Sequence, residues 1–92
     1  MSASPKPDGP GSFASAERIG ELVRDTLGVL APGPDVDLIE TGLIDSLALV
    51  TLIAELELEY DIQFPLESFD VEAFRTLESM AAVVNATRGK NA

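Results

Sequence analysis

A chain of 92 residues with no cysteine and no histidine has no thiolate nucleophile, no disulfide, no imidazole base and no zinc site of the usual kind. Sixteen acidic against six basic residues give a formal charge of −10, which disfavours nucleic acid and anionic membranes; it steers the chain toward basic protein surfaces or simply keeps a small domain soluble. A single domain of this size buries only roughly 60% of the surface its unfolded chain exposes, too little for a deep catalytic cleft.

Residues 1–12 contain Pro5, Pro7, Gly9, Pro10 and Gly11 and almost nothing apolar, so a disordered tail is expected there, ahead of a domain at 13–87 and a frayed C-terminus at 88–92. The tail has neither the basic start nor the apolar stretch of a secretory leader, and no apolar run reaches the ~20 residues that cross a bilayer. A cytoplasmic monomer without direct membrane insertion is the expectation. Ile19, Leu22, Val23, Leu27 and Leu30 recur at the three-and-four spacing of a buried helical face, with Ser15 as N-cap and Glu17 in the first turn. The spacing predicts a first helix over 15–30, weakened by Gly28 and stopped by Ala31-Pro32-Gly33-Pro34. A long loop follows, and its Leu38, Ile39, Leu43 and Ile44 are too apolar for solvated chain, so it should pack across the mouth of a bundle.

From Ser46 to Tyr60 no Gly or Pro intervenes, and Leu49, Leu52, Ile53, Leu56 and Tyr60 make one continuous face of a second helix. After the turn at Ile62, Phe64 and Pro65, a short helical piece is expected at Val71–Phe74. Thr76 then caps a last helix that buries Leu77, Met80, Ala81 and Val84 and frays after Asn85. Three longer helices and one short one, without strand alternation or repeats, predict an all-α fold, a small four-helix bundle with a long loop between helices one and two.

The second helix carries a further apolar set, Leu47, Val50, Ala54 and Leu58, interleaved with Glu55, Glu57 and Glu59. Either this helix is central and buried nearly all round, or the set is an exposed strip for partner proteins. At its start stands Asp45-Ser46-Leu47. Asp and Ser at such a place are commonly just caps, but a helix N-terminus also favours a phosphate, and a phosphodiester on the Ser46 hydroxyl would sit in a congenial field. Catalysis by Ser46 fares worse, because no histidine exists to activate it and Asp45 is too poor a base to do so alone. Asp35 and Asp37 begin with calcium-loop spacing, yet Ile39 and Ser46 stand where later ligands belong, so these acids are expected only to solvate the loop, and no metal site is predicted.

The run Gly42-Leu43-Ile44-Asp45-Ser46-Leu47-Ala48-Leu49-Val50-Thr51-Leu52, with Glu55-Leu56-Glu57 and Tyr60 to Pro65 downstream, resembles the phosphopantetheine attachment region of acyl, peptidyl and D-alanyl carrier proteins. The resemblance spans about Ile19 to Val84. It implies the four-helix carrier bundle, with Ser46 as the serine that bears covalent 4′-phosphopantetheine, Asp45 as the acid before it, and a partner face of Leu47, Val50, Thr51, Ala54, Glu57 and Leu58. It implies a carrier, not an enzyme, whose partners are a phosphopantetheinyl transferase and an adenylating ligase or acyltransferase that loads and unloads cargo. Ala48 and Thr51 stand where fatty-acid carriers usually place acids, and the Gly-Gly-His-Ser or Gly-Gly-Asp-Ser run of peptidyl carriers is missing. Together with Pro65-Leu66-Glu67-Ser68-Phe69-Asp70, the motif looks most like D-alanyl carriers and the discrete aminoacyl carriers similar to them. Alanine far exceeds lysine and arginine outnumbers it, as in GC-rich genomes, so polyketide or nonribosomal peptide biosynthesis is the first expectation. A D-alanyl carrier for cell-wall teichoic acid modification is the alternative, and a helical interaction domain without prosthetic group the alternative of another class.

Overall fold

Helix formation starts where Ser15, in extended conformation, turns its hydroxyl to accept the Arg18 backbone N–H at 3.1 Å. In the computed structural model, which describes residues 13–65 and 70–91, this opens α1 (Ala16–Leu27). The expected tail, the Leu66-Glu67-Ser68-Phe69 part of the motif and Ala92 lie outside the described residues. α1 stops three residues before the Leu30 predicted from the apolar spacing. Gly28 adopts the left-handed conformation at φ 71° and its N–H closes on the Arg24 carbonyl at 2.9 Å. Gly28 is therefore the C-cap and not a weak spot inside the helix, and Leu30, cut off from the buried face, is 73% exposed.

The loop after α1 folds over the bundle as its apolar content demands. Leu38 and Ile44 are buried, Ile39 is half-buried and Leu43 stays at the rim. Its backbone is tied to the far side of the chain: the Leu38 N–H donates to the Arg75 carbonyl at 2.7 Å, and the Glu78 N–H donates to the Pro34 carbonyl at 3.1 Å. α2 (Ser46–Tyr60) has the limits its uninterrupted sequence predicts. It buries Leu49, Leu52, Leu56 and Tyr60, while Ile53 packs half-buried at the edge of the same stripe. Asp61 closes it in the left-handed region, at φ 55°.

The short piece at Val71–Phe74 is a 3₁₀ helix, opened by Asp70, whose carboxylate accepts the Glu72 N–H at 3.0 Å. It delivers Phe74 edge-on to Phe64, ring centres 5.3 Å apart at 89°. α3 (Leu77–Asn91) opens on a reciprocal cap: the Ser79 N–H donates to Thr76 Oγ1 at 3.0 Å and the Thr76 N–H donates to Ser79 Oγ at 3.2 Å. Leu77, Met80, Ala81 and Val84 are buried. The helix does not fray after Asn85 but runs on to Asn91, because its second half is anchored. The Asn85 amide donates to the Ala14 carbonyl and accepts the Ala14 N–H, each at 2.8 Å, and buried Thr87 bonds the Val83 carbonyl at 2.7 Å.

The described residues are thus all-α: three α-helices and one 3₁₀ turn, without a strand. α1 packs against both α2 and α3, and the 3₁₀ helix lies on α3. With Ala14 beside Asn85, and Pro34 beside Glu78, α1 and α3 run antiparallel. Ser46 and Leu49, at the start of α2, share a cleft with Val71 of the 3₁₀ helix that leads into α3, so α2 starts at the same pole as α3 and is antiparallel to α1 as well. One pole of the bundle therefore gathers the long loop, the start of α2, the 3₁₀ helix and the start of α3. Each fully buried Leu, Ile or Val of the shared core contributes about 1.5–3 kcal/mol. Among the described residues no helix is long and apolar enough to cross a membrane.

Candidate functional site

The chain reaches Ser46 through a turn whose chemistry is local. Gly42 sits at φ 81°, a conformation that side chains rarely adopt, and its N–H donates to the Ile39 carbonyl at 3.1 Å. Buried Ile44, with its N–H on the Leu38 carbonyl at 3.0 Å, anchors the strand of chain that follows. Asp45 then caps α2: its Oδ1 accepts the Ala48 N–H at 2.8 Å, and its backbone carbonyl accepts the Leu49 N–H at 2.8 Å. Asp45 is a cap in fact, which draws its carboxylate onto the helix backbone. Ser46, the first helical residue, is exposed. From Ser46 to Ala54 α2 carries no charged side chain, and the carboxylate of Asp45 caps its positive end.

Beside Ser46 opens a cleft of about 280 Å³, lined by Ile39, Gly42 and Ile44 of the loop, Asp45, Ser46 and Leu49 of α2, and Val71 of the 3₁₀ helix. An exposed hydroxyl next to an open, largely apolar cleft fits attachment of a long flexible group. With no histidine in the chain, Ser46 has no imidazole to make it a nucleophile of its own. Among the described residues no three acidic, His or Cys side chains converge to hold a metal.

The outward strip exists as surface. Leu47, Val50 and Leu58 are 76, 63 and 73% exposed, and Thr51 and Ala54 are exposed between them. The all-round burial that the sequence left open for α2 is thereby excluded in the described chain. Glu57 departs from the set: it is half-buried, and its Oε2 accepts the Phe64 N–H at 2.9 Å. It braces the turn after α2 instead of lining the strip.

Sequence reasoning missed Asp37. Far from solvating the loop, it receives the Ile39 and Glu40 N–H groups on Oδ1 at 3.0 and 2.8 Å and Arg75 Nη1 on Oδ2 at 3.0 Å. The Glu40 N–H, then the hydrogen bond and charge of Arg75 and the Ile39 N–H, hold its carboxyl below the usual range against a partial loss of solvation. The signal available in sequence is an Asp two and three residues ahead of free backbone N–H groups, a turn former.

The family model described as the phosphopantetheine attachment site matches residues 17–84. The chain belongs to that family. Members carry the prosthetic group covalently, so the chain is a carrier and a substrate of modifying and loading enzymes, and not itself an enzyme. Curated relatives agree. A D-alanyl carrier protein of Lactococcus lactis subsp. lactis is 39% identical over 57 residues, covering 62% of this chain and 72% of the relative. Those of Leuconostoc mesenteroides subsp. mesenteroides and Enterococcus faecalis are 32% identical over 74 residues and 35% over 72, covering 79 and 76% of this chain and 95 and 92% of theirs.

Proposed function

We propose that the chain is an aminoacyl carrier of the D-alanyl type, bearing its phosphopantetheine on the Ser46 hydroxyl. The observation that carries this reading is the coincidence of two things: relatives that are D-alanyl carrier proteins over most of their length, and an exposed serine opening α2 inside the matched region. The natural-product setting expected first from composition gains nothing from these relatives, and the alternative, a D-alanyl carrier, gains directly. This reading takes the 3₁₀ helix at Val71–Phe74 as the short helix expected of a carrier bundle.

When bound, the group supplies a flexible, thiol-ended arm on which a carboxylic cargo is held as a thioester. The protein's own residues do the rest. Asp45 fixes the start of α2, so that Ser46 is held out from the bundle; Ile39, Leu49 and Val71 offer apolar cover beside it; Leu47, Val50, Ala54 and Leu58 form the address read by the phosphopantetheinyl transferase and by an adenylating ligase. The cytoplasm is the compartment this reading assigns.

Incubation with coenzyme A and a promiscuous phosphopantetheinyl transferase should add one phosphopantetheine to the chain and none to Ser46→Ala, whose circular dichroism should stay close to the parent. Modification of the alanine variant would overturn the assignment of Ser46. Loading assays with D-alanine against other amino acids then test the cargo.

A further inference from the structure

We infer that Arg75 is a positioning residue for Ser46: through Asp37 it holds the residue 37–44 turn that fixes both the start of α2 and one wall of the adjoining cleft. The inference rests on Ser46 being the attachment point.

Arg75 grips the loop twice. Its guanidinium reaches Asp37 Oδ2 from Nη1 at 3.0 Å and Glu72 Oε1 from Nε at 2.8 Å, while its backbone carbonyl accepts the Leu38 N–H at 2.7 Å. The ion pairs Arg18–Glu21 and Arg24–Asp25 are local, whereas Asp37 and Arg75 are 38 positions apart and join separate segments. Asp37 is thus shared: one oxygen answers Arg75, the other organises the turn through Ile39 and Glu40. From there the hydrogen bonds run on, Thr41 N–H to the Asp37 carbonyl at 3.2 Å, Gly42 N–H to Ile39 at 3.1 Å and Ile44 N–H to Leu38 at 3.0 Å, ending one residue before the Asp45 cap.

The same clasp joins the two segments that line the cleft beside α2. Ile39, Gly42 and Ile44 line it from the loop and Val71 from the 3₁₀ helix; Asp37 lies just before the first in sequence and Arg75 just after the helix that carries the second. A part-exposed ion pair adds little to global stability. What it can set is local geometry, and its loss should show in the turn and not in the core.

Three variants separate these effects. Arg75→Gln removes the fork, Asp37→Asn keeps the acceptor for Ile39 and Glu40 while removing the charge, and Arg75→Lys keeps the charge without the fork. In the unmodified chain, amide exchange at Ile39, Gly42 and Ile44 should speed up about two- to fivefold in Arg75→Gln and Asp37→Asn, less in Arg75→Lys, with Leu52 and Val84 unchanged. In transfer of the arm from coenzyme A, kcat should fall by a similar factor, about two- to fivefold, while KM holds, because the docking strip is untouched. Unchanged exchange in the turn, or equal acceleration at Leu52 and Val84, would overturn the inference. Failure of the parent chain to take the arm at Ser46 would instead remove the functional reading, and the exchange result would stand apart from it.

Discussion

Helix α2 has two apolar faces of similar composition and opposite fate. Leu49, Leu52 and Leu56 are covered by α1, α3 and the loop, whereas Leu47, Val50 and Leu58, a residue or two away in sequence, meet solvent. Apolar content therefore does not identify the core of this helix. Its phase relative to the neighbouring stripes does, and the face out of phase with them is left exposed.

Polar insertion should break the symmetry of these faces most sharply. Leu52→Asp buries an unpaired carboxylate and should remove several kcal/mol from a fold of about 5–15, enough to unfold it, while Val50→Asp should melt near the parent yet slow transfer of the arm. Thermal melts beside a modification assay read both. Equal melting losses would mean that the outward face is covered after all. Truncation gives a gentler contrast: Leu56→Ala should cost about 2–5 kcal/mol in urea denaturation, and Leu58→Ala no more than about 0.5.

The third approach loosens the cover of the inward face. Because the folded carboxyl of Asp37 titrates below its unfolded value, its contribution is fully present above about 3.9 and is lost as pH falls through the lowered folded value. The excess of amide exchange at Ile39 and Ile44 in Asp37→Asn over the parent, corrected for the intrinsic rate, should stay constant from neutral pH to about 5 and close only below about 3.9. The smallest effect is expected at the end of the helix, where Asp61 places negative charge at the negative end of α2 in a left-handed conformation. Asp61→Asn keeps a residue tolerant of that backbone and should raise stability by about 0.3–0.5 kcal/mol without altering either face.

What sequence made legible was whatever depends on nearby residues. The limits of α2, the Ser15 and Thr76 caps and the inward stripes all follow from spacing and composition within a few turns. The exposed strip was visible as an apolar set out of phase, and Ser46 as a serine opening a long helix. Hidden were features set by partners far along the chain. Nothing around Asp37 announces Arg75, and nothing in the residues after Asn85 shows that its amide will bond Ala14, 71 positions away, and keep α3 intact. Gly28 shows the other kind of miss: an apolar residue two positions later falls on the same periodic face, yet one left-handed glycine ends the helix first.

The bond pair between Asn85 and Ala14 also settles how the carrier can be handled as a lever. It holds the beginning of the described chain against the second half of α3, at the pole opposite the loop, the 3₁₀ helix and Ser46. Phe13, where the described chain opens, stands next to Ala14 at that far pole. A surface that grips the body at that pole leaves Ser46 at the opposite tip, the length of the bundle away.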